Sequence, residues 1–104
     1  MRKAIIKIHD ISAGVLTEYD PNRYGFKYDV GYSGPPVSLT MPVISEEYIF
    51  ERFPPFFDGL LPEGIQLDGL LRTYKIDKYD YFQQLIITGR DLVGAVTADE
   101  LNDE

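Results

Sequence analysis

Polar and apolar residues alternate along the first part of the chain, and the period changes near Ser45. Ala4 to His9 sets Ile6 and Ile8 on one face and Ile5 and Lys7 on the other, which predicts a strand. Asp10-Ile11-Ser12 reads as a turn. Gly14 to Tyr19 alternates again through Val15, Thr17 and Tyr19. Asp20-Pro21-Asn22 suits a type I turn, with proline pre-set for the second position. Tyr24 to Val30 then carries Tyr24, Phe26 and Tyr28 on one face and Lys27 and Asp29 on the other. These three segments predict an antiparallel meander. Gly31 to Pro36 is a loop by composition. Val37 to Met41 predicts a short edge strand before Pro42, since proline cannot donate to a ladder.

After Ser45 the spacing is helical. Ser45 is a plausible N-cap, with Glu46 and Glu47 in the positive first turn and Tyr48, Phe50 and Phe53 behind them. Pro54-Pro55 interrupts, and Pro55 suits the first position of a second short helix carrying Phe56, Phe57, Leu60 and Leu61. Pro62-Glu63-Gly64 stops it. Ile65 to Tyr74 resumes through Ile65, Leu67, Leu70 and Leu71. Asp77 predicts another N-cap, with Asp80 three residues on, and Tyr81, Phe82, Leu85 and Ile86 form the buried stripe. Gly89 fits the residue after the helix end.

Leu92 to Ala98 is apolar on both faces and predicts a last strand, inside the sheet, returning to the N-terminal meander. The expected fold class is α+β: a small curved antiparallel sheet, a partial barrel, with short helices packed on one side. One domain over residues 1–98 is expected, followed by a flexible acidic tail over 99–104.

Composition narrows what such a domain does. The chain has 104 residues, with 10 Lys and Arg against 17 Asp and Glu, a formal charge of −7. No apolar run approaches the ~18 residues of a membrane span, and the start carries no apolar signal region, so a cytoplasmic location is expected without membrane contact. The acidic balance disfavours direct binding to nucleic acid, where phosphates reward clustered Lys and Arg. With no cysteine, thiolate metal sites and cysteine nucleophiles are excluded. His9 is the only histidine, so a His-rich metal site or a triad lacks its parts. Gly31 to Gly34 lacks the Gly-Lys-Ser/Thr of a phosphate loop. Glu46-Glu47 and Asp99-Glu100 are neighbours only in sequence, and solvation explains them. Gly89-Arg90-Asp91 reads as a helix stop and a charged turn. No catalytic residue, cofactor or metal is expected, and the chain is read as a non-enzyme.

Tyr48, Phe50, Phe53, Phe56 and Phe57 are dense for so small a domain. Most belong in a core, and one or two are candidates for an exposed contact patch.

Three ordered stretches carry a resemblance. They are Val37-Ser38-Leu39-Thr40-Met41-Pro42, then Phe56-Phe57-Asp58-Gly59-Leu60-Leu61-Pro62-Glu63-Gly64, then Gly89-Arg90-Asp91-Leu92-Val93-Gly94-Ala95-Val96. Together they resemble the N-terminal subdomain of the HipA toxin kinases, from the first strand to about Ala98. Such kinases carry their ATP site and catalytic residues in later regions, and none of those is present here. The chain is therefore similar to HipS, the small antitoxin subunit of tripartite HipBST toxin–antitoxin systems. The resemblance implies that it binds a HipT-like Ser/Thr kinase and inhibits it. It also implies a complex with a HipB-like helix-turn-helix protein, through which DNA is reached only indirectly. An alternative keeps the fold and drops inhibition, leaving an assembly subunit that bridges kinase and DNA-binding protein. A small hydrolase or phosphotransferase acting alone lacks the His and Cys partners and the phosphate loop. Candidate kinase contacts are Phe57, Leu61, Pro62, Glu63, Gly64 and Ile65. The Pro-Glu-Gly break turns the chain, so Ile65 either projects at a corner or packs into its own core.

Overall fold

The computed structural model describes residues 1–90 and 95–101. Strand β1 (Arg2–Ile8) turns into β2 (Ile11–Asp20) through His9 and Asp10, both with positive φ, at 50° and 66°. Two left-handed residues match the right-handed twist of the strands they join. The turn therefore lies one residue earlier than the sequence suggests, and Ile11 and Ser12 belong to β2. Ala4, Ile6 and Ile8 face the core together. The register slips between Ile6 and Lys7, where Ile6 opposes Gly14 and Lys7 opposes Ser12. Ala13 is the extra residue of this bulge, which explains why Ala13 and Gly14 are buried in succession.

The Pro21-Asn22 turn closes as predicted, with the Asn22 N–H donating to Asp20 Oδ1 at 2.7 Å. It leads to β3 (Arg23–Tyr28), whose Tyr24, Phe26 and Tyr28 all enter the core. The Tyr28 hydroxyl then organises the following loop. It accepts from the Val37 N–H at 3.0 Å and donates to the Met41 carbonyl. Val37 to Met41 is consequently a tight turn closed by a single Ser38–Met41 bridge, not an edge strand. Val37 and Met41 drop into the core instead of pairing.

The edge is formed by β4 (Tyr48–Phe50), paired antiparallel with β3. This corrects the helix read after Ser45. Tyr48 and Phe50 pack inward and Ile49 points out, so period two prevails, and backbone pairing with β3 outweighs the local capping signals. Pro55 does open a one-turn helix, α1 (Pro55–Asp58), with Pro54 as its cap. Next come α2 (Gly64–Tyr74) and α3 (Tyr81–Thr88). The cap of α3 is Asp80 and not Asp77; Asp80 accepts from the Gln83 N–H at 3.2 Å. Asp77 instead closes the preceding turn by accepting from the Tyr79 N–H at 2.8 Å.

The last strand, β5 (Val96–Leu101), pairs antiparallel with β1. The open sheet runs β4-β3-β2-β1-β5, so β5 lies at an edge and not inside. The end of α3 flanks it, with the Ala98 N–H donating to the Gly89 carbonyl at 3.0 Å. Gly89 is right-handed, with φ −53°, so its value here is close approach: a Cβ would lie 1.8 Å from the Ala98 oxygen. Of the predicted stretch Leu92 to Ala98, residues 92–94 lie outside the described residues. Asp99 to Leu101, read as the start of a tail, pair with Ile5 to Lys3, and residues 102–104 are outside the described set.

Phe57 from α1 and Phe82 and Leu85 from α3 close over Ala4, Ile6, Leu16 and Phe26 of the sheet. Phe57 meets Phe26 with ring centroids 5.8 Å apart. The expected α+β class is the observed one: the antiparallel sheet, read as a partial barrel, has five strands and is not closed, and three short helices accompany it.

Candidate partner-binding surface

The turn from α1 into α2 is built from an anchored half and a free half. Phe57 is fully buried, and Phe56 leans on it edge-on, with centroids 5.2 Å apart. The Leu61 N–H donates to the Asp58 carbonyl at 3.2 Å, and the Leu61 side chain is buried. Beyond this anchor Pro62 is half-buried, and Glu63 is extended and exposed. Gly64 has φ +60°, a conformation that favours glycine, and a Cβ there would touch nothing. The left-handed step sends the chain outward into α2, and Ile65 stands 89% exposed. Of the six candidate contacts, Phe57 and Leu61 support the corner from inside. Glu63, Gly64 and Ile65 form its outer surface, with Pro62 between them. The alternative in which Ile65 packs into its own core does not occur.

All five aromatics of the dense cluster are buried or half-buried: Phe53 and Phe57 fall in the core, and Tyr48, Phe50 and Phe56 pack against it. Among the described residues the most exposed apolar side chains lie elsewhere, at Val30 (99%), Leu39 (94%) and Ile65. Val30 and Leu39 each sit in a stretch whose spacing predicts strand, where an apolar residue is ordinarily buried, so the pattern carries no signal of their exposure.

No residue of α2 is buried. The half-buried side chains that pack against the core come from other segments, among them Leu60, Tyr81 and Ile86. Leu67, Leu70, Leu71 and Tyr74 nonetheless share one helix face at i, i+3, i+4 and i+7. Ile65 lies roughly opposite that stripe at 100° per residue.

An ionic knot fixes the start of α3, just beyond α2. Arg2 forks onto Glu18 with two contacts of 2.8 Å and reaches Asp80 at 2.9 Å. Its guanidinium also lies 5.0 Å from the Phe82 ring centre. The hydrogen bond with Glu18, the strongest influence, holds the Arg2 pKa above its ordinary value against the opposing effect of burial. Burial first, then the Glu18 charge, pushes the Tyr24 phenol up to about 12. At Asp80 burial works to raise the pKa, but the Arg2 hydrogen bond and the Gln83 N–H outweigh it, and the carboxyl is held below its usual range. Asp99 is lowered likewise by Lys7, 3.1 Å away, and by Arg90. These partners make the shifts structural: each carboxylate is tied to a cation across elements. Among the described residues no three His, Asp or Glu side chains converge as a metal site. Among them, too, no helix is long and apolar enough to cross a membrane.

An open five-stranded sheet with three short helices and an exposed, glycine-set corner defines a small α+β module. Residues 4–99 match the family described as HipA N-terminal domain, and the chain belongs to that family. A solved structure described as the N-terminal domain of HipA toxin superposes with a TM-score of 0.77 at 25% sequence identity, covering 100% of this chain and 96% of that one. An uncharacterized protein of Haemophilus influenzae (strain Rd) is 32% identical over 87 residues, 84% of this chain and 81% of that protein. The resemblance carried by the three motifs is thus the family to which the chain belongs.

Proposed function

We propose that this chain is a non-catalytic antitoxin subunit of a HipA-related toxin–antitoxin system, which binds a HipT-like Ser/Thr kinase and restrains it. In this reading the chain occupies the place that the fused N-terminal domain takes in a HipA kinase. A HipB-like DNA-binding protein joins the complex. The observation that carries the reading is Ile65, 89% exposed at a corner whose supports, Phe57 and Leu61, are locked into the core. A rigidly presented apolar side chain is what a binding hot spot requires. The charge of −7 would speed encounter with a basic kinase face.

The test is co-purification with the kinase followed by autophosphorylation of the kinase with and without this chain. Inhibition is expected, and Ile65→Asp should weaken it at least tenfold while leaving the melting temperature unchanged. Failure to co-purify would refute the reading. An intact complex with undiminished phosphorylation would replace inhibition by the bridging role.

A further inference from the structure

Gly69 stands in the middle of α2, and nothing among the described residues accounts for it. Its φ is not positive, so no left-handed step requires it. A Cβ there would meet no atom within 4 Å, so no close approach within the chain requires it either. Glycine inside a helix is nevertheless unfavourable, because it loses more backbone freedom on folding than alanine does. At Gly89 the same choice is explained inside the fold, by the Ala98 carbonyl. At Gly69 the space that a side chain would fill is open.

The place of that space on the helix says what uses it. Gly69 is four residues beyond Ile65, and at 100° per residue it lies about 40° to one side of it. Arg72 lies about 20° to the other side and bounds the space one turn further on. All three are exposed, on the side of α2 that faces away from Leu67, Leu70, Leu71 and Tyr74. The face therefore carries a projecting side chain and, one turn later, a missing one. Residues four apart on a helix are neighbours, about 5–6 Å apart at Cβ. A pocket deep enough to bury Ile65 must close its rim on the helix next to it. On this face the neighbouring residue is Gly69, where the rim can reach the helix backbone.

We propose that the kinase contact runs from Ile65 along this face of α2, with the rim of the pocket that receives Ile65 seated against the backbone at Gly69. The proposal rests on the reading of Ile65 as a kinase anchor. It adds the residue that sets how closely the two molecules approach.

The test is isothermal titration of the full chain with the kinase that co-purifies with it, beside thermal unfolding of the chain alone. Gly69→Ala should raise the melting temperature by about 4 °C and yet weaken binding at least threefold. Gly69→Leu should weaken binding at least thirtyfold, with the helical signal in circular dichroism retained, since the site is exposed and leucine favours helix. Greater stability with lower affinity is the signature, because a role confined to the chain's own fold would move stability the other way. Unchanged affinity in either variant overturns this inference and leaves the Ile65 reading in place. A Gly69→Ala chain that melts below the parent overturns it as well, since the glycine would then serve its own fold. A parent chain that binds no kinase overturns both.

Discussion

Asp80 shows how much a single side chain here does at once. It caps α3 through the Gln83 N–H and receives Arg2 from β1, which also holds Glu18 of β2. Because its folded pKa lies below the unfolded value of 3.8, its contribution is fully present above that value and is lost as pH falls through the folded pKa. Asp99 acts in the same direction against Lys7 and Arg90. Stability is therefore expected to fall below about pH 4. Asp80→Asn should remove roughly 1 kcal/mol at pH 7, a value discounted for its partial exposure. It should also flatten the acid decline, as urea midpoints at pH 7 and pH 3 would show. Ile65 is the contrasting case. It contacts little in its own chain, so Ile65→Asp should shift stability by less than ~0.5 kcal/mol, which urea unfolding would verify. Its place on the outside was open to either reading in the sequence, because apolar spacing cannot tell a core-facing corner from a projecting one. Gly64, with its positive φ, decides it.

At the scale of elements, what could be read in advance was local chemistry, and what could not was pairing at a distance. Asp20-Pro21-Asn22 closes through its own side chain, and Pro55 opens α1 through its own ring. Tyr24, Phe26 and Tyr28 alternate into the core as their period says. Tyr48 to Phe50 carries helix-start signals before it, yet it becomes a strand because β3 offers its backbone there. Val37 to Met41 is drawn into a turn by the hydroxyl of Tyr28, nine residues before Val37. Asp77 and Asp80 are both capping residues, and only the packing of α3 selects the second. Gly89 was legible as a helix stop, but its closeness to β5 was not, since that contact spans to Ala98. Gly89→Ala is accordingly expected to push β5 from α3 and to cost about 1–3 kcal/mol. The loss would appear in thermal unfolding, with amide exchange speeding first along Val96–Leu101.

For the molecule as a whole, the sheet is sewn together by its first and last strands. Lys3 lies opposite Leu101, so the start of β1 and the end of β5 lie side by side, on strands about 4.8 Å apart. The order in which the strands are synthesised is then separable from the order in which they pair. A circular permutant with a short glycine–serine linker joining the old ends, and new ends cut between Ser33 and Gly34 in the exposed loop, should keep the native strand order. Its far-ultraviolet spectrum should match the parent's and its melting should remain cooperative. If instead it were unfolded, the covalent path through that loop would be as necessary to the architecture as the hydrogen bonds between β1 and β5.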